Sequence, residues 1–137
     1  MSGPPISLLR GVPFLSGLSD DDAASLAGEF VDRSYTAGEL VTGEGQEGMS
    51  FFVLETGEAT VTKAGSDIAT LGPGASFGEL SLFEQHGRRS ATITAATDLR
   101  CWSLPVWSFR AFVEGRPAVA WALLEQMAGR IRELDND

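Results

Sequence analysis

Apolar residues along this chain keep two different spacings. Up to residue 30 and again after residue 104 they recur three or four apart, as on one face of a helix. Between 31 and 104 they alternate with polar residues or gather in short runs broken by glycine. The first region predicts a short turn of helix beginning with Ile6, Leu8 and Leu9 and ending near Gly11-Val12-Pro13. A second helix follows, with Ser19 as its N-cap and Asp20, Asp21 and Asp22 in its first turn, where carboxylates meet the positive end of the helix dipole. Leu18, Leu26 and Phe30 supply its apolar face. Read as metal ligands, the three aspartates would need a supporting cluster that the sequence does not offer, so capping is the better account.

The middle region predicts strands at Arg33–Tyr35, Leu40–Thr42, Phe51–Leu54, Ala59–Thr62, Ile68–Leu71, Ala91–Thr94 and Leu99–Leu104. Many short strands with regular turn signals argue for a sandwich or barrel. Gly38, Gly45 and Gly57 fall at corners suited to positive φ, which a Cβ disfavours. Pro105 then suits the first turn of a helix that Gly115 ends. A last helix runs from about Pro117 to Leu134. Its residues Ala120, Leu124, Met127, Ile131 and Leu134 are spaced 4, 3, 4 and 3. That seam is expected to pack on the strands, with a homodimer contact through the C-terminal helix as the second option.

Charge narrows the function classes. The chain carries 19 acidic against 10 basic residues, a net charge of −9. Nucleic-acid binding draws its affinity from lysines and arginines on phosphates, so it is not expected here. No apolar run is long enough for membrane insertion, and Met1–Pro5 lacks the basic flank and apolar stretch of a secretory signal. Cys101 is the single cysteine, which rules out an internal disulfide and fits a cytoplasmic location. It reads as a buried strand residue beside Trp102; Trp102, Trp107 and Trp121 fit core or lid packing. The length suits one domain, 1–137, made of a helical segment 1–30, a β region 31–104 and C-terminal helices 105–134. His86, the only histidine, reads as a surface loop residue, because one imidazole without companion ligands makes no metal site.

The candidate chemistry sits in Phe77-Gly78-Glu79-Leu80-Ser81-Leu82-Phe83 and, after a short polar loop, Arg88-Arg89-Ser90-Ala91-Thr92. A glycine followed by a carboxylate opens a helical turn, whose uncommitted N–H groups favour an anion. Arginine presents a planar fork of donors and keeps its charge at neutral pH. In so acidic a chain an anion needs a local cation, and Arg88 and Arg89 are the only adjacent bases of the β region. A carboxylate beside a bound anion repels it unless it has a hydroxyl to hold. Glu79 therefore points to a polyol bearing a phosphate.

This spacing resembles the phosphate-binding cassette of the cyclic-nucleotide-binding domain family, the type found in catabolite activator protein and in the regulatory subunit of protein kinase A. Tyr35-Thr36-Ala37-Gly38-Glu39-Leu40-Val41, Gly43-Glu44-Gly45, Phe51-Phe52-Val53-Leu54 and Gly57-Glu58-Ala59-Thr60-Val61 are similar to the first half of that fold, in the same order. The resemblance implies a mainly β fold with flanking helices: an eight-stranded β-roll (a double-stranded, jelly-roll-like barrel) with N-terminal helices and two C-terminal helices acting as hinge and lid. It implies that Glu79 accepts from a ribose 2′-OH, that Arg89 pairs with a cyclic phosphate, and that Ser90 donates to a phosphate oxygen or the purine. Gly78, Leu80, Ser81 and Ala91 would make backbone contacts, and Val61, Ile68 and Leu71 would line the apolar side of the base. Residues from Arg130 to Leu134 would approach as a lid, with Arg130 the candidate partner of Glu79. The chain departs from the family at Arg88, where proline is common, and at Glu133 and Asp135, which either accept from an adenine amine or are solvated.

The function so implied is a regulatory sensor that binds a cyclic purine nucleotide, cAMP, with cGMP as the alternative ligand. It would have no catalytic role and no cofactor or metal. Ligand binding would reposition the C-terminal helices, and output would require an unidentified protein partner or a fused effector domain. Two other classes stand beside it: a ligand-silent roll acting as an interaction scaffold, and a cupin-type metalloenzyme, which a single histidine disfavours.

Overall fold

A computed structural model describes residues 3–46, 48–79 and 89–135, with the side chains of Leu134 and Asp135 left aside. The chain opens with α1 (Ile6–Arg10), a 3-10 turn (Pro13–Leu15) and α2 (Asp20–Ala27). Eight strands follow among the described residues: β1 (Val31–Tyr35), β2 (Leu40–Thr42), β3 (Ser50–Thr56), β4 (Ala59–Lys63), β5 (Ser66–Leu71), β6 (Ser76–Phe77), β7 (Thr92–Ala95) and β8 (Leu99–Pro105). Helices α3 (Val106–Glu114) and α4 (Pro117–Asp135) close it. The strands form two four-stranded sheets, ordered β1-β8-β3-β6 and β2-β7-β4-β5, with antiparallel pairing throughout.

The two sheets differ in what covers them, and the sequence reflects this. Phe52, Leu54, Leu99 and Cys101 of the first sheet meet Ala59, Ile93 and Ala95 of the second in the space between them. Phe51, Val53, Trp102 and Leu104 point the other way, into a second core shared with the helices. The central strands β3 and β8 of the first sheet are therefore buried on both faces, so β3 reads as an unbroken apolar run instead of an alternation. In the second sheet β5 is mostly exposed. Burial holds the Cys101 thiol in its neutral form, with its pKa pushed up to about 11.

Three rings bind the helical core together. Phe14 of the 3-10 turn, Phe51 of β3 and Phe109 of α3 lie with centroids 5.5, 5.5 and 6.2 Å apart, the tilted and edge-on geometries aromatic quadrupoles favour. Ser19 caps α2, its hydroxyl accepting from the Asp22 N–H at 3.1 Å. Gly38, Gly45 and Gly57 all have positive φ. At Gly57 close approach adds a second demand, since a Cβ there would lie 2.3 Å from the Asp98 carbonyl oxygen. Pro105 ends β8 and serves as the N-cap of α3, and the Val106 N–H donates to the Met49 carbonyl at 2.9 Å.

Four sequence expectations need correction. Strand β6 has only two residues, too few to leave a periodic trace. Ala91 precedes β7, which starts at Thr92. Trp102 is buried, but Trp107 and Trp121 are exposed. The seam through Ala120, Leu124, Met127 and Ile131 does not pack on the strands: Leu124 and Ile131 are each 60% exposed. Val119 and Leu123 are the buried pair, with Ala122 and Met127 packed partly beside them against the helical core. The surface that α4 meets is the N-terminal helical layer, not a sheet. It selects a stripe rotated by one residue from the one that heptad spacing suggests. Truncation separates the two stripes. Leu123→Ala should cost about 2–4 kcal/mol in urea unfolding and Leu124→Ala less than about 0.5 kcal/mol; equal losses would contradict this packing.

Candidate functional site

Strand β6 sets the site's first half. It pairs Phe77 with Phe52 and Ser76 with Val53 on β3, and the Phe52 and Phe77 rings stack at 4.9 Å with an interplanar angle of 14°. The chain then turns through Gly78 at φ +98° and places Glu79 in the interior, 4% exposed. A Cβ at position 78 would lie 2.6 Å from Arg89 Nη1 and 2.8 Å from the Ser50 carbonyl oxygen. Glycine is required there by conformation and by space alike.

The β2–β3 turn sets the second half. Arg89 is bonded to it on both sides of its backbone: the Arg89 N–H donates to the Gln46 carbonyl at 2.7 Å, and the Gly45 N–H donates to the Arg89 carbonyl at 2.9 Å. The Gln46 side chain braces the same turn by accepting from the Gly43 N–H at 3.2 Å. Glu44 ties it outward, its N–H donating to Thr92 Oγ1 and its carboxylate accepting from the Ala64 N–H, each at 3.0 Å.

From that anchored backbone the guanidinium reaches back toward Gly78. Nη1 donates to the Gly78 carbonyl at 3.1 Å and Nη2 to the Ser50 carbonyl at 2.6 Å. Its central carbon stands 5.7 Å from the centroid of the Phe52 ring. Arg89 is only 8% exposed. Burial lowers its pKa from the ordinary arginine value, and the Glu79 carboxylate opposes that shift. Glu79 in turn meets Arg130 of α4, with Oε1 3.3 Å from Nη1. Its other oxygen, Oε2, is buried and has no hydrogen-bond partner among the described residues. A buried carboxylate oxygen in that condition is costly, and an incoming hydroxyl donor would relieve it.

The structure thus brings Gly78, Glu79, Arg89 and Arg130 together. Ser90 is exposed and Ala91 half-buried just ahead of β7. Val61 and Leu71 pack beside the inter-sheet core, while Ile68 on β5 is 58% exposed. Leu80, Ser81, His86 and Arg88 lie outside the described residues, as does the Leu134 side chain. Sequence reasoning missed Ser50, Gln46 and Phe52. Two of these act through backbone carbonyls, which carry no side-chain signature. The aromatic pair Phe52 and Phe77 is the one signal that could have marked the third. Among the described residues no group of three or more His, Cys, Asp or Glu gathers into a metal-binding cluster. Two surface clefts, of about 360 and 470 Å³, include neither Glu79 nor Arg89.

Known proteins match this chain in sequence and in fold. A family model described as the cyclic nucleotide-binding domain matches residues 32–116. Glutaminase 2 of Bradyrhizobium diazoefficiens is 34% identical over 115 residues, which are 83% of this chain and 18% of that protein. The cAMP-dependent protein kinase regulatory subunit of Eremothecium gossypii is 39% identical over 97 residues, 70% of this chain and 21% of that protein. The cyclic AMP receptor protein of Thermus thermophilus is 30% identical over 132 residues, 93% of this chain and 61% of that protein. The chain therefore spans less than two thirds of each of these relatives. Among solved structures, the Thermus thermophilus catabolite activator protein superposes with a TM-score of 0.80 at 30% identity, covering 90% of this chain and 60% of that one. The structure of cAMP bound PfPKA-R (141–441) gives 0.76 at 29% identity, covering 95% of this chain and 46% of that one.

Gly78→Ala should strain the turn and push Arg89 off its carbonyl partners. A loss of about 1–3 kcal/mol in denaturant unfolding is expected, and an unchanged midpoint would mean that the close approach at position 78 is misplaced.

Proposed function

The chain belongs to the cyclic nucleotide-binding domain family, and from that premise we propose that it is a cAMP-binding regulatory module that performs no chemistry of its own. The observation that carries this reading is the buried Oε2 of Glu79, without a hydrogen-bond partner among the described residues, beside a cation bonded to backbone carbonyls. A ribose 2′-OH supplies the missing donor to Glu79. The cyclic phosphate receives the charge of Arg89, and Ser90 adds a hydroxyl. Arginine's planar fork of N–H donors matches the oxygens of a phosphate. cAMP is preferred over cGMP here because the Thermus relative is named a cyclic AMP receptor and PfPKA-R is cAMP-bound.

Glu79 also gives the pocket a handle on α4. Arg130 shares the carboxylate that a ribose would occupy, so ligand binding changes what the last helix meets. In this reading α4 and α3 shift between two arrangements, and cAMP favours the one in which residues 130–134 close over the base. Output then passes to a fused effector domain or a partner protein. That this chain spans 18% of the glutaminase and 21% of the kinase regulatory subunit supports such a modular role. A cytoplasmic location belongs to the same reading; among the described residues no helix is long and apolar enough to cross a membrane.

Trp121, Leu124 and Ile131 stand exposed along α4. Their spacing of three and seven suits a helix–helix seam, and a homodimer through α4 is the form in which the module would cover them. Sedimentation of the purified chain reads this directly: a concentration-dependent dimer is expected, and a monomer at every concentration removes it.

Calorimetric titration with cAMP and cGMP tests the ligand. Saturating cAMP should raise the melting temperature, because a ligand of the native state stabilises by mass action. No shift with either nucleotide would favour a silent scaffold. Arg89→Ala should weaken cAMP binding by about 2–5 kcal/mol, roughly 30-fold to a few thousandfold; an unchanged affinity would reject the site.

A further inference from the structure

The aromatic shelf under Arg89 has a role that neither the family pattern nor the carbonyl contacts supply. We infer that Phe52 is a positioning residue for Arg89: its ring, stacked on Phe77, holds the guanidinium in the orientation that receives the phosphate. This inference rests on the cyclic-nucleotide reading of the site.

Two carbonyls, Ser50 and Gly78, occupy N–H groups at the edge of the guanidinium and fix it in its own plane. They do little against rotation or slippage out of that plane. The guanidinium carbon stands over the Phe52 ring, 5.7 Å from its centroid, within the range in which a ring quadrupole attracts a cation. Phe52 is itself immobilised. It is 6% exposed, it is paired in register with Phe77, and the two rings stack.

The shelf matters because of Glu79. That carboxylate is near enough to favour the charge on Arg89, and collapse onto it would spend the cation before a ligand arrived. Yet Glu79 Oε2 has no hydrogen-bond partner among the described residues, so the guanidinium is not bonded to that oxygen. A cation ordered in advance spares the ligand the cost of ordering it on binding.

Removing the ring outright would also open a cavity between the sheets, so the test preserves its shape. Phenylalanine at position 52 of the full chain is replaced by 4-fluoro-, 3,5-difluoro- and pentafluorophenylalanine, which drain the ring's negative face in steps. The same series at Phe51, a buried ring of the helical core, is the control. cAMP affinity is measured by calorimetry and the ligand-free melting temperature by calorimetric scanning. The dissociation constant should climb stepwise in the Phe52 series to about three- to tenfold, with the Phe51 series flat and melting temperatures similar in the two. A flat Phe52 series on a wild type that binds cAMP overturns the positioning role alone, as does an equal rise in both series. A wild type that takes no cAMP overturns the cyclic-nucleotide reading and this inference with it.

Discussion

The site depends on a cation secured by backbone. Arg89 is buried in a chain of net charge −9, and a buried charge survives only if its hydrogen bonds are met. Carbonyls at Ser50 and Gly78 meet two of them. Each exists for a reason elsewhere in the fold. The Ser50 carbonyl is available because β3 begins there, and Gly78 can come this close because it has no Cβ. The β2–β3 turn fixes the arginine's backbone from the other side. The guanidinium thus joins three segments that are distant in sequence.

The double burial of β3 explains why those segments stay put. Strand β3 feeds Phe52 and Leu54 into one core and Phe51 and Val53 into another. A displacement of β3 would disturb both cores at once, and close-packed interiors resist that. The second sheet, with one side toward solvent, has no such constraint. The Arg89 contacts through Ser50 and Phe52 are made to the rigid side of the roll, while Glu79 reaches across to Arg130 on α4, whose outer stripe is exposed.

Much of this was legible in the sequence where a residue type has one structural use. Ser19 before three aspartates marked a helix cap. Phe51 to Leu54, four apolar residues between turns, marked a strand, and Gly57 marked a corner. Gly78, Glu79 and Arg89 stood out because a flexible turn, an acid and a base at that spacing serve phosphate and sugar together. The pairing of Arg130 with Glu79 rested on family resemblance, since no local pattern joins residues so far apart. What escaped was written in the backbone or decided by tertiary contact. Two residues of β6 are defined by their partner strand. The carbonyls of Ser50 and Gln46 belong to any residue at those places. On α4, heptad spacing favoured Leu124 and Ile131, but the 3-10 turn carrying Phe14 and Leu15 receives Val119 and Leu123 instead, because a helix buries whichever stripe meets a complementary surface.

Consecutive residues at the leading edge of β3 face two different clients. The Ser50 carbonyl accepts from the arginine, and the Met49 carbonyl, one peptide unit earlier, accepts from the first N–H of α3. The two acceptors sit on adjacent amide planes that meet at the Ser50 Cα. The main chain of one residue therefore connects the arginine's acceptor to the acceptor at the root of α3, with no side chain in between.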